Sequence, residues 1–185
     1  MPVVSITLLP GYAAETQHRL VNRLAQAVRS VIDTPEAGTT VFVNEVSTYR
    51  RDGRVFSQGR AAFPVASDLV QSFLQAFQDG DLAQAQTHLH ADFQMGLPGG
   101  VRVHALNDMR QWAEQRFERL TKRYDHLEES WQGDATVVFG HGHLDGTWRH
   151  GAPFEGIRFI DRLEVRAGLI TRQDMWADLA EHRQA

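Results

Sequence analysis

Apolar and polar residues alternate from the start of the chain, with Val4, Ile6 and Leu8 set against Ser5 and Thr7. A period of two predicts a strand over residues 2–9, closed by a turn at Pro10-Gly11. The spacing then changes. Between about Ala14 and Ile32 the apolar positions are Leu20, Val21, Leu24, Val28, Val31 and Ile32, which share one face of a helix. Asp33-Thr34-Pro35 stops that helix. Thr39 to Val46 is rich in β-branched residues and reads as a second strand. Two strands joined by a helix are most simply parallel. The polar, glycine-punctuated run from Tyr49 to Arg60 reads as a hairpin or loop, and Ala61-Ala62-Phe63-Pro64 as a boundary. The chain thus divides into a βαβ unit over 1–62 and a second domain over 63–185.

The second domain begins with helical spacing. Leu69, Val70, Phe73, Leu74 and Phe77 line one face of a helix with Ser67 as its expected N-cap. A short helix over Leu82–Leu89 and a brief strand near Phe93–Met95 follow. Leu97-Pro98-Gly99-Gly100 turns the chain, and Asn107 is the expected cap of a third helix reaching Leu120. The pattern then shifts to strands over Tyr124–Trp131, Ala135–Leu144, Phe154–Val165 and Leu169–Trp176, separated by glycine turns. Helices first and long antiparallel strands after them make an α+β plan, a curved sheet wrapped on helices around an apolar pocket.

Composition narrows the chemistry. The 185 residues carry a formal net charge of −4 and no basic run, so nothing points to nucleic acid. There are no cysteines, which excludes disulfides, thiolate chemistry and cysteine-zinc sites. The first apolar segment is too short and too strand-like for a signal peptide or membrane span. A cytoplasmic location is the default expectation. No cofactor is called for, and the expected partner is a small-molecule substrate. His141 and His143 share a strand face, but no third metal ligand is indicated. Histidines on a strand face more often line a pocket or face solvent, and His141 is the candidate for contact with a ligand.

Pro2 is the candidate for proton chemistry in the first unit. Methionine removal before proline would free a secondary amine, and desolvation at a strand tip would favour its neutral, basic form. Pro2, the turn at Pro10-Gly11, the amphipathic helix, Asp33-Thr34-Pro35 and Val43-Asn44-Glu45-Val46 together resemble the tautomerase superfamily typified by 4-oxalocrotonate tautomerase. That resemblance implies an N-terminal proline acting as base on an enol or keto acid. The arginines that hold carboxylates in the short family enzyme are replaced here by Tyr12 and Thr40. Arg51, Arg54 and Arg60 in the loop are the candidate replacements, with Tyr12 as a donor to the substrate oxygen.

Residues 65–180 resemble the SnoaL-like polyketide cyclase and ketosteroid isomerase group of the nuclear transport factor 2-like fold. The carrying segments are Asp79-Gly80-Asp81-Leu82, His90-Ala91-Asp92-Phe93, Phe159-Ile160-Asp161-Arg162-Leu163-Glu164-Val165, Gly168-Leu169-Ile170-Thr171 and Met175-Trp176. In that resemblance Asp161 sits where ketosteroid isomerase has the aspartic acid of its oxyanion hole, sharing a strand face with Phe159 and Leu163. It is either a catalytic or ligand-contacting carboxyl of raised pKa, or a satisfied buried one. The same resemblance points Arg172, Asp174 and Trp176 inward on the last strand, Arg172 being alternatively an ion-pair partner. The general base would fall near Leu97, which has no proton chemistry.

Two expectations follow. In the first, Pro2 drives tautomerisation of a small keto-enol acid. In the second, the C-terminal pocket is the working site of a cyclase, dehydratase or hydrolase, or of a small-molecule-binding domain, and the βαβ unit serves assembly. Both imply a homo-oligomer, since a lone βαβ unit leaves one sheet face uncovered.

Overall fold

The computed structural model describes residues 1–57, 59 and 61–182, and the chain divides into two compact units, Met1–Ala62 and Phe63–Ala185. In the first, β1 (Val3–Leu8) leads through α1 (Ala14–Arg29) to β2 (Thr40–Glu45). β1 and β2 run parallel, with Val3 opposite Thr40 and Leu8 opposite Glu45. A hairpin of β3 (Tyr49–Arg51) and β4 (Arg54–Phe56) follows. Val4, Ile6 and Leu8 are half-buried on one face of β1. The other sheet face leaves Val3 62% and Phe42 54% exposed. α1 stops short of Val31 and Ile32, which are exposed. Gly38 is the only fully buried residue described in this unit. Two strands and one helix bury too little surface for a core of their own.

The second unit holds α2 (Ala66–Gln78), α3 (Leu82–Thr87), β5 (Leu89–Leu97), β6 (Val101–Val103), α4 (Leu106–Glu114), β7 (Phe117–Gln132), β8 (Ala135–Trp148), β9 (Pro153–Arg166), β10 (Leu169–Ala177) and α5 (Leu179–His182). Six strands form one sheet in the order β6-β5-β10-β9-β8-β7. All neighbours are antiparallel except β5 and β10. Alternation along β9 sends Phe159, Asp161, Leu163 and Val165 inward. Val70 and Phe73 of α2 meet Met95, Leu144, Ile157, Leu163 and Ile170 of the sheet, all nearly or fully inaccessible. At one end Trp112, Phe117, Trp148 and Phe154 close the core in a ring cluster with centroids 4.7–6.2 Å apart.

Several sequence expectations shift. The third helix ends at Glu114 rather than Leu120, and β7 starts at Phe117. Phe117 stacks on Trp148 at 5.2 Å and pairs with it across the sheet, so tertiary packing overrides the helical spacing. The strand expected near Phe93–Met95 extends over all of β5. Ser67 does not cap α2, whose N-cap is Val65; the Ser67 N–H instead donates to Glu129 Oε1 at 2.8 Å. Nor does Asn107 cap α4, which begins after Ala105. Asp81 caps α3, accepting from the Gln84 N–H at 2.9 Å.

Candidate functional site

Period-two alternation on β7 brings Leu120, Lys122 and Tyr124 to the inner side of the sheet. Asp161 reaches the same place from β9, two strands away, and is completely buried. Lys122 Nζ donates to Asp161 Oδ2 at 2.6 Å, and the Tyr124 hydroxyl donates to the same oxygen. The Phe159 ring lies 4.7 Å from Lys122 Nζ and meets Tyr124 edge-on, centroids 5.0 Å apart. Gly140 on the intervening β8 makes room: a β-carbon there would stand 2.9 Å from the Tyr124 ring and 2.7 Å from Leu127. Burial raises the Tyr124 pKa well above the usual tyrosine range, and the Asp161 charge and hydrogen bond raise it further. Tyr124 is therefore a neutral donor at physiological pH, and Lys122 is a cation fixed by its counter-ion.

Lys122 and Tyr124 form part of the wall of a cavity of about 530 Å³, with Asp161 behind them. Phe73 and Phe77 of α2, Met109 and Trp112 of α4, Leu97 of β5 and Met175 of β10 make most of the remaining wall apolar. Gln173 of β10 is the other polar side chain reaching it from deep in the sheet. Glu118 and Arg119 line the cavity from exposed positions. The arrangement can hold an apolar molecule and present a fixed positive charge to one of its oxygens.

The expected site residues distribute unevenly. Asp161 points inward, but it is ion-paired with Lys122 rather than alone in an apolar pocket. Arg172, Asp174 and Trp176 do not face the cavity. β10 carries a bulge between Ile170 and Arg172, so Ile170, Gln173 and Met175 take the inner side and the expected face is reversed. Asp174 pairs with Arg172 on its other side, accepting from Nη2 at Oδ1 at 3.1 Å with Nε 2.7 Å from Oδ2, and has Arg162 at 4.0 Å. Trp176 is 53% exposed. His141 is also on the outer face, edge-on to His126 at 4.4 Å and 4.0 Å from Asp125. It shares an outer groove with His143, Ile160 and Trp176. Among the described residues no three His, Asp or Glu side chains converge as a metal site requires. Leu97 lines the cavity and brings no proton acceptor to it.

In the first unit Pro2 is half-buried and its carbonyl accepts the Thr40 N–H at 3.1 Å. The Tyr12 ring sits against Gly59, where a β-carbon would stand 2.6 Å away. Arg51 and Arg54 face each other across the exposed hairpin, and Arg51 pairs with its neighbour Asp52 at 3.3 Å. They build no carboxylate cradle with Pro2 among the described residues. Arg60 lies outside the described residues.

Sequence reasoning missed Lys122, because a helix was carried to Leu120 and the strand begun at Tyr124. The alternation Leu120, Lys122, Tyr124 was the available signal. It also missed Gln173, which only the bulge turns inward.

The SnoaL-like domain model matches residues 70–173, more than half of the chain and all within the second unit. The chain belongs to the SnoaL-like family. Among solved structures, this SnoaL-like protein is similar to an NTF2-like protein of Burkholderia thailandensis E264, with 18% identity over 66% of this chain and 100% of that one, TM-score 0.53. It is also similar to an NTF2-like protein of Burkholderia pseudomallei K96243, with 19% identity over 62% of this chain and 92% of that one, TM-score 0.52. At these identities the likeness shows the nuclear transport factor 2-like α+β fold. No curated protein matches the chain. The family match lies outside the first unit, and no comparison identifies that unit as a tautomerase. Among the described residues no helix is long and apolar enough to cross a membrane.

Proposed function

We propose that the cavity of the second unit is the working site, and that it binds a largely apolar small molecule and stabilises the enolate left when water takes its α-proton, during an isomerisation or ring closure. The observation that carries this reading is Lys122, a cation pinned 2.6 Å from Asp161 at the wall of a largely apolar cavity. A fixed positive charge in a low-dielectric site stabilises charge developing on a carbonyl oxygen without reorganising when the reaction occurs. Asp161 already engages one Lys122 N–H, leaving two for a ligand oxygen. Asp161 acts as a positioning residue, holding the ammonium and the Tyr124 phenol at the wall. Lys122 is ion-paired with a carboxylate and Tyr124 stays protonated by burial, so this end of the cavity presents donors only.

Deuterium exchange at the α-carbons of 2-tetralone, followed by proton NMR in D₂O, tests enolisation on a bicyclic ketone. The native chain accelerates exchange over buffer, and Lys122→Met removes about 10²–10³ of that acceleration, the typical worth of one oxyanion donor. Exchange at the buffer rate with native protein, or full activity in Lys122→Met, refutes the reading.

A second reading keeps Pro2 as the base of the first unit. Its support is the parallel strand–helix–strand order and the place of Pro2 at the head of β1, a topology that many functions share. It requires loss of Met1, since an acylated proline nitrogen is an amide. Intact mass decides that requirement, and Pro2→Ala in an enol-acid tautomerisation assay decides the rest.

A further inference from the structure

Gln173 is fully inaccessible to solvent, yet neither its Nε2 nor its Oε1 has a hydrogen-bond partner. Its surroundings explain why. Across the sheet it stands beside Met95 of β5 and Leu163 of β9, and Met175 is the next inner residue on its own strand. None of these offers a donor or acceptor equal to an amide. The residue also belongs to the wall of the cavity. Buried side-chain amides in folded proteins are nearly always satisfied, so this one is built to be satisfied from the cavity. The Trp112 indole N–H, also a cavity residue, is likewise buried without a partner.

The register places this residue relative to Asp161, the partner of Lys122. Met175 is opposite Asp161, and Gln173 is one inner position further along, opposite Leu163. One strand across and two residues along is a backbone separation of about 8 Å. Lys122 Nζ is held at Asp161, so the amide addresses a different part of the ligand from the ammonium.

We propose that Gln173 is the specificity-determining residue of the cavity, and that it reads a hydroxyl and a neighbouring acceptor oxygen on the end of the ligand remote from Lys122. An amide offers one acceptor and a donor pair side by side. Its complement is a hydroxyl that donates to Oε1 next to an oxygen that accepts from Nε2. A vicinal diol, a catechol and an α-hydroxy ketone all present this pair. The ligand class is then a fused-ring compound with an acidic oxygen at one end and a vicinal oxygen pair at the other. This inference rests on the proposed working site.

The test is calorimetric titration of the full chain with two probes, 2-naphthoate and 6,7-dihydroxy-2-naphthoate. Both carry the anion and the ring; only the second carries the oxygen pair. The native protein is expected to prefer the dihydroxy probe about 30-fold, two hydrogen bonds of ordinary net worth. Gln173→Leu and the longer, flexible Gln173→Met each bring the ratio to within about threefold, with 2-naphthoate binding retained as the check that the cavity is intact. Lys122→Met weakens both probes alike and keeps the ratio. If the native protein binds 2-naphthoate in a Lys122-dependent manner but shows no preference, or if the preference survives in both Gln173 variants, the role of Gln173 is overturned and the working site stands. If the native protein binds neither probe, the working site is overturned, and the role of Gln173 with it.

Discussion

Replacing Asp161 by Asn removes the charge that fixes Lys122 while keeping the side-chain shape. Asp161 is completely buried and the Lys122 side chain is 14% exposed. Removing one partner of a buried pair typically costs about 3–5 kcal/mol, because the other charge is left uncompensated. The lower end applies here, since Lys122 borders a cavity into which its ammonium can turn for water. About 3 kcal/mol lowers the melting temperature of a unit of this size by about 10 °C. The assay is urea unfolding followed by tryptophan fluorescence. All four tryptophans (112, 131, 148 and 176) belong to the second unit, so the signal reports that unit alone. Lys122→Met strands the carboxylate instead and costs a similar amount. The double variant Lys122→Met/Asp161→Asn has no charge to strand, so its loss falls short of the sum of the two by about 2 kcal/mol or more. An Asp161→Asn loss below about 0.5 kcal/mol, the range of an ordinary surface change, or strict additivity in the double variant, refutes the argument that the pair is a buried structural anchor.

Gly140→Ala places a methyl where the Tyr124 ring and Leu127 now stand, at 2.9 and 2.7 Å; it should cost about 1–3 kcal/mol and slow tetralone exchange, and native values for both would refute the claim that this glycine seats Tyr124. Glu164, held below its ordinary value of 4.5 first by its hydrogen bond to Arg166 and then by Arg162, stabilises the fold fully above that value and loses this contribution as pH falls through the lowered pKa. Glu164→Gln should therefore flatten the acid limb of the stability curve and lower stability at pH 7 by at most about 1 kcal/mol, measured by melts from pH 2 to 7. Tyr124, with its pKa raised, contributes in the opposite sense, fully below pH 10 and less as pH rises beyond it; spectrophotometric titration at 295 nm should show one phenol fewer ionising near pH 10 than in denaturant, and Tyr124→Phe should abolish that difference. Pro2→Ala should leave tetralone exchange at the native rate, and a loss above about tenfold would move the chemistry to the first unit.

Most of the architecture is written in the spacing of apolar residues. The changes of period between two and helical place α1, α2 and the long strands β8 and β9 within a few residues of their observed ends. The error at the α4–β7 junction has a definite cause. Met109, Trp112 and Phe117 fit a helical face, but a ring needs a partner, and Phe117 finds Trp148 thirty-one residues later on β8. Spacing does not record such long-range pairing.

The inner face of β10 failed for a different reason. Strict alternation from the buried Ile170 gives Arg172, Asp174 and Trp176 as inner residues. A single extra residue near Thr171 reverses this and puts Gln173 and Met175 inside instead. Slippage by one residue exchanges the whole set of side chains between faces. Without the bulge, two oppositely charged residues and an indole would face Asp161. With it, Arg172 and Asp174 neutralise each other outside, and the deep wall of the cavity carries Lys122 and an unsatisfied amide. The polar chemistry of this SnoaL-like protein is thus set by one irregular backbone position, and selectivity for a ligand's remote oxygens depends on that bulge as much as on Gln173.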